Sequence, residues 1–265
     1  MSLFKKTENT EEKLISKGDL EHALKKKEFV FYYQPEFDIK TNKIIAVEAL
    51  MRWESSNGIV PPNQFIPVLE ESGLIHKFTD FLFNQTLSDL KQIHEAGYTN
   101  VIMSVNLSAS QLLDKNLISS ISKALEKNLI KSEFLECEIT ESKKISFPLK
   151  KDVFKELENM NIPVAIDDFG TGFSTFSYLK NISVKKIKID CEFIRNLEED
   201  SKNKTIVSAL IKLGHDLGIS VVAEGVETTE QKEWLQKNGC DLGQGFWFSR
   251  AIPLEQLLTF LKNKK

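Results

Sequence analysis

Residues 29–53 read FVFYYQPEFDIKTNKIIAVEALMRW, and this stretch decides the architecture. Two β-rich runs, FVFYYQ ending at Gln34 and IIAVEALMRW starting at Ile44, enclose only the nine residues PEFDIKTNK. A parallel crossover needs a dozen residues or more, so the first strand must run antiparallel to the second, with Lys40 to Asn42 as the turn. Six further runs follow: VIMSVN ending at Asn106, FLECEIT from Phe134, PVAIDD ending at Asp168, VKKIKID ending at Asp190, ISVVAE ending at Glu224 and LGQGFWF from Leu242. Helical periodicity fills the gaps over 77–96, 109–127, 150–160, 201–217 and 228–238, and again over 254–261. Eight strands alternating with helices specify an α/β fold, a (β/α)8 TIM-like barrel with its first strand antiparallel to the others. An open doubly wound sheet is excluded because no GxGxxG follows the first strand.

The 265 residues suit one barrel, since about 250 suffice for that fold. Hydrophobic residues make up 41% and charged residues 28%, which supports a sizeable core and excludes a disordered chain. A net charge of −3 provides no basic field for polymeric nucleic acid. No apolar run approaches the roughly 18 residues that cross a bilayer. The start, MSLFKKTENTEEK, has no signal-peptide core. The chain therefore reads as cytoplasmic, without a membrane segment. Residues 1–15 are polar and read as a flexible leader or linker remnant, ahead of one folded domain over 16–265. Asp19 is placed to cap a short first helix, and Pro61-Pro62 reads as a rigid loop. Cys137, Cys191 and Cys240 are odd in number and contain no CxxC pair, so a metal would need oxygen ligands.

In such a barrel the chemistry gathers at the C-terminal ends of the strands. The last polar residue of successive runs is Glu48, Asn106, Glu138, Asp167 with Asp168, Lys188, Glu224 and Gln244. Strand alternation puts Glu48, Leu50 and Arg52 on one face, and Ser104 with Asn106 on one face. Any single carboxylate here is as readily a salt-bridged residue as a functional one; the set is harder to dismiss. Five carboxylates in one mouth repel each other, and Lys188 supplies one positive charge only. Carboxylate and amide oxygens without His or Cys select a hard divalent ion, Mg²⁺ or Mn²⁺. His22, His76, His94 and His215 all fall in helical stretches and read as surface or packing residues. Adjacent Asp167 and Asp168 both reach the mouth only if the strand ends and turns there, and one of them is then able to bridge two ions about 3.5–4 Å apart. The following FGTGFS reads as a phosphate-facing loop or lid.

These residues, with YYQP, VEALMRW, PNQFIPVLEESGLI, SVNLSASQL, CEITES, DDFGTGFSTFSYL, IKID, VVAEGVET and QGFWFS, resemble the EAL domain, a bacterial cyclic di-GMP phosphodiesterase module. The resemblance runs from about Ser16 to the C-terminal end. It implies two-metal hydrolysis of cyclic di-GMP to linear pGpG, with Glu48, Asp167, Lys188 and Glu224 carrying catalysis. One ion would be held by Glu48, Asn106, Glu138 and Asp167, and a second by Asp167, Asp168 and Glu224. Lys188 would position the water between them. Gln244 and Glu227 would line the site, Arg52 would bind a substrate phosphate beside Leu50, and Gln34 would lie near a guanine. Glu141 would steady the loop containing Gly170, Thr171 and Gly172. Departures from the usual family residues are Met51, Phe173, Thr175 and Cys191, none of them a ligand position. The resemblance also favours a homodimer. Calcium, which wants more ligands at longer distances than Mg²⁺, is expected to bind without supporting turnover.

A silent cyclic di-GMP receptor is the main rival, and such domains usually lack metal ligands that are all present here. A glycosidase needs two carboxylates but not Asn106, paired aspartates and Lys188 together. An enolase-like barrel gives no reason for Arg52.

Overall fold

The computed structural model describes residues 15–140, 151–171 and 179–263. The chain divides into two compact units, residues 31–51 with 75–265 and residues 1–30 with 52–74. The larger unit contains the barrel. Its strands are β1 (Phe29–Asp38), β2 (Ile44–Ser55), β4 (Ile102–Leu107), β5 (Leu135–Thr140), β6 (Val164–Phe169), β7 (Lys186–Ile189), β8 (Ser220–Ala223) and β9 (Leu242–Gly243). They follow the order β1-β9-β8-β7-β6-β5-β4-β2 and close through β1–β2. Neighbours from β2 round to β9 pair in parallel. β1 lies antiparallel to β9, with Phe37 opposite Gly243.

β1 runs on past the expected end at Gln34 to Asp38, so only residues 39–43 separate it from β2, and the connection makes a hairpin. Asp38 Oδ1 accepts from the Lys40 and Thr41 amides at 3.0 and 2.7 Å, and Asn42 takes the left-handed conformation at φ 53°. An aspartate that satisfies its own turn and an asparagine that tolerates positive φ favour this chain reversal.

Alternation along the parallel strands sorts two chemistries. Met103, Val105, Cys137, Ile139, Ile187, Ile189 and Val221 belong to the apolar core. The intervening Ser104, Glu136, Glu138, Lys186 and Lys188 are buried too, but bond to one another across the barrel. A barrel interior normally filled by Val, Ile and Leu is here built from polar layers.

The helices 75–95, 151–159, 201–216, 229–237 and 254–262 agree with the periodicity to within a residue or two. The expected helix over 109–127 is instead two, Ala109–Leu112 and Leu117–Asn128. Asp114 Oδ1 accepts from the Asn116 amide at 2.9 Å and breaks the run with a local turn. β9 is also shorter than the run LGQGFWF suggested. Gly245 carries its backbone so close to Val226 that a Cβ would lie 2.3 Å from the Val226 nitrogen, and the chain leaves the sheet there. A short β10 (Ile252–Pro253), absent from the sequence reading, pairs antiparallel with Tyr32 and Tyr33.

In the smaller unit Ser16, not Asp19, caps the helix Lys17–Lys25. Asp19 is the third helical residue and completes a capping box by accepting from the Ser16 amide at 2.9 Å. Pro61-Pro62 starts the helix Pro62–Glu71 rather than forming a loop, because a proline at the first helical position sacrifices no needed amide. β3 (Gly58–Val60) pairs antiparallel with the end of β2.

Candidate active site

Lys188 stands at the centre. Its ammonium is fully buried and lies 2.7 Å from Glu224, 2.9 Å from Glu138, 3.1 Å from Glu48 and 3.7 Å from Asp167. The expected crowd of five carboxylates is thus four at contact distance, and Asp168 is not among them. Four different strand ends deliver these groups because period-2 alternation turns the same face of each strand inward. Asn106 Nδ2 donates to Glu48 Oε1 at 2.7 Å, and Gln244 Nε2 donates to Glu48 Oε2 at 2.8 Å.

Charge is unevenly shared. Burial alone would favour a neutral Lys188, but Asp167, Glu138, Glu224 and Glu48 together hold its pKa well above the ordinary lysine value. Burial also works against ionised Glu48, yet Lys188 and the donors from Gln244 and Asn106 outweigh it and lower its pKa. Glu138 goes the other way: burial raises it strongly, and Lys188 does not compensate. Burial and neighbouring acids push Glu224 up to about 8. Burial, Asp167 and Asp190 push Asp168 up to about 7. One ammonium is too little positive charge for this cluster. Glu138 Oε1 and Gln244 Oε1 are buried without a hydrogen-bond partner among the described residues. Oxygens left bare beside proton-retaining carboxylates suit divalent cations, which replace the protons and take the free lone pairs.

The paired aspartates solve their geometric problem through the backbone. Asp168 adopts φ 54°, and the β6–β7 register shifts between Ile166 and Phe169. The left-handed residue cancels the usual alternation, so carboxylate oxygens of Asp167, Asp168 and Glu224 lie within 4.8 Å of one another. Aspartate is among the few side chains that tolerate this region. The Asp168 amide donates to Asp167 Oδ1 at 2.9 Å. Thr171 closes the turn onto the Asp168 carbonyl at 2.9 Å, and Gly170 supplies φ +104°. Gly172 and Glu141 lie outside the described residues.

A second polar layer lies two residues back along the same strands. Lys186 Nζ is 2.6 Å from Glu136 and 2.8 Å from Glu36, and Ser104 donates to Glu136 at 2.6 Å. Apart from Ser104, these residues escaped the sequence reading. The signal was there: Glu136 and Lys186 precede Glu138 and Lys188 by two, the strand period.

Beside the charged centre is a cleft of about 330 Å³ lined by Gln34, Cys191, Arg195, Glu224, Glu227 and Gln244, with Phe246 half exposed at its edge. Gln34 donates to the Ser249 carbonyl at 3.1 Å. Arg195 and Phe246 were not anticipated. Leu50 and Arg52 follow Glu48 on β2 and are both partly exposed; Arg52 belongs to the smaller unit. The four histidines are not ligands in this cluster: His22 is exposed on the helix Lys17–Lys25, His76 pairs with Asp114 at 2.8 Å, His215 with Asp241 at 3.1 Å, and His94 bonds the Val101 carbonyl.

A barrel that gathers carboxylate and amide oxygens around a fully buried lysine at the ends of its strands defines a class of metal-suited enzyme-like sites. The EAL domain family model matches residues 17–251, and the chain belongs to the EAL domain family. It is 39% identical over 251 residues to the signaling protein YkoW of Bacillus subtilis, covering 94% of this chain and 31% of that protein. It is 37% identical to the bifunctional diguanylate cyclase/cyclic di-GMP phosphodiesterase MucR of Pseudomonas aeruginosa, covering 95% of this chain and 37% of that one. The chain thus spans about a third of the length of these curated relatives. The solved MucR phosphodiesterase in complex with c-di-GMP superposes with a TM-score of 0.86 at 37% identity, over 91% of this chain and 98% of that one. No helix among the described residues is long and apolar enough to cross a membrane.

Proposed function

We propose that the chain hydrolyses one phosphodiester bond of cyclic di-GMP to give linear pGpG, using two Mg²⁺ or Mn²⁺ ions. The observation that carries this reading is the ring of Glu48, Glu138, Asp167 and Glu224 around Lys188, with bare buried oxygens on Glu138 and Gln244. Glu48, Asn106, Glu138 and Asp167 would hold one ion, and Asp167, Asp168 and Glu224 the other. When bound, the ions supply charge neutralisation at the phosphate and acidify water.

The protein's own groups do the rest. Lys188 stays protonated in its carboxylate ring and orients the attacking water as a donor rather than serving as a base. Gln244 and Asn106 fix Glu48 in one rotamer by bonding each of its oxygens. Gln34 lines the cleft where a guanine would lie. The backbone turn at Asp168 sets both aspartates at one edge of the site. The same reading makes the protein a homodimer, which sedimentation of the purified chain tests.

A receptor without turnover is the reading to beat, and the complete oxygen set speaks against it. Glu48→Ala removes one proposed ligand and strips Gln244 and Asn106 of their shared acceptor. Turnover of cyclic di-GMP in Mn²⁺ should fall below detection in this variant while the fold is kept; near wild-type turnover would remove Glu48 from the site.

A further inference from the structure

Gln231 lies outside the mouth, is 3% exposed and bonds through every polar atom of its amide. Its Oε1 accepts from the Glu227 and Thr228 amides at 2.7 and 3.1 Å. Its Nε2 donates to the carbonyls of Ile194 and Arg195, both at 3.2 Å. The first pair of bonds completes a capping box at the start of the helix Thr229–Lys237. That task needs only an acceptor, and glutamate performs it as well. The second pair does something capping does not require. It ties the loop after β8, which carries Glu224 and Glu227, to the helix Cys191–Arg195 after β7, which carries Lys188. This short helix has two faces of interest. Arg195 is the one cationic side chain among the described residues lining the cleft. The ring of Phe193 packs so near Gly170 that a Cβ there would lie 3.0 Å from it.

We propose that Gln231 is a positioning residue that clamps the helix Cys191–Arg195 and thereby holds the Arg195 guanidinium in the cleft wall for an anionic dinucleotide. The ligand class rests on the phosphodiesterase reading above; the clamp rests on the hydrogen bonds alone. A guanidinium carried on a held helix meets a phosphate or a guanine edge with its backbone already ordered, so that binding has only the side chain's own freedom to restrict.

Gln231→Glu separates the two tasks, because a carboxylate keeps the cap but faces the Ile194 and Arg195 carbonyls with acceptors. Gln231→Met removes both. Hydrogen exchange of residues 191–197 should rise in Gln231→Glu while residues 229–237 stay protected, and Gln231→Met should release both segments. In steady-state assays with cyclic di-GMP and Mn²⁺, Gln231→Glu should raise KM by about 5- to 20-fold with kcat within about twofold. Arg195→Ala should raise KM similarly, and the double variant should be no worse than Arg195→Ala alone. Unchanged exchange at 191–197 in Gln231→Glu would refute the clamp. Additive effects on KM, or a loss in kcat instead, would refute its action through Arg195. If the wild-type chain neither binds nor cleaves cyclic di-GMP, the ligand class fails, and the exchange experiment still decides the clamp.

Discussion

Replacing Lys188 with methionine removes the one cation from a ring of four carboxylates while nearly conserving volume. Three of the four oxygens lie within 3.1 Å of the ammonium and the fourth at 3.7 Å, and the side chain is fully buried. Removing one partner of a buried ion pair costs about 3–5 kcal/mol, because the remaining charge loses its compensation. Here the remaining acids escape part of that cost by taking up protons, so the deficit should be smallest near pH 5 and grow towards pH 8. For a chain of this size each kcal/mol moves Tm by about 2–4 °C, which puts the metal-free variant about 6–20 °C below the wild type at pH 8. Divalent ions supply the missing positive charge, so the gap should narrow when both proteins are melted in saturating Mn²⁺. Turnover should nevertheless stay about 10²–10⁴-fold down, since no ion replaces a donor aimed at the water. Thermal melts at three pH values, with EDTA and with Mn²⁺, read all of this. An unchanged metal-free Tm, or a gap that Mn²⁺ leaves untouched, would refute the view of Lys188 as the site's resident counter-charge.

Three further outcomes are expected. Asp168 near 7 and Glu224 near 8 hold protons that the unfolded chain has already released above about pH 4. Their contribution to stability is therefore fully present below that pH and lost as pH rises through 7 and 8. The Tm of the EDTA-treated protein should fall between pH 6 and 9. Mn²⁺ binding near pH 6.5 should release protons, detectable as a dependence of the calorimetric heat on buffer ionisation enthalpy; no such dependence would contradict the raised values. Calcium prefers more ligands at about 2.3–2.6 Å, whereas Mg²⁺ demands near-octahedral geometry at about 2.0–2.1 Å. Ca²⁺ should permit binding of cyclic di-GMP without turnover, and hydrolysis in Ca²⁺ as fast as in Mn²⁺ would count against a strict site.

The barrel and its antiparallel first strand were legible because they depend on short-range facts: a nine-residue connection and the order of apolar runs. The strand-end residues were legible for the same reason, since alternation places side chains without knowledge of their partners. Lys188 illustrates the limit. Its position and its charged state could be argued from sequence, whereas its separation from Asp168 depends on the positive φ that bends the end of β6. The layer of Glu36, Glu136 and Lys186 escaped because polar residues deep in a strand read as isolated charges until their cross-barrel partners are seen. Arg195 ends a five-residue helix too short to show periodicity, and Gln231 sits in the first turn of an expected helix where nothing in the sequence marks its tie to another segment, so only the folded chain brings them together. Pro61-Pro62 misled because a double proline suits a helix start as well as a loop.

Cleavage of cyclic di-GMP is the central proposed activity. Incubating metal-stripped protein with cyclic di-GMP, adding Mg²⁺ or Mn²⁺, and separating the nucleotides chromatographically over time tests it most directly. Linear pGpG should accumulate with the loss of cyclic di-GMP only after the metal is added, and stop on adding EDTA. Intact cyclic di-GMP retained on the protein in the presence of either metal would contradict the enzyme and leave a receptor in its place.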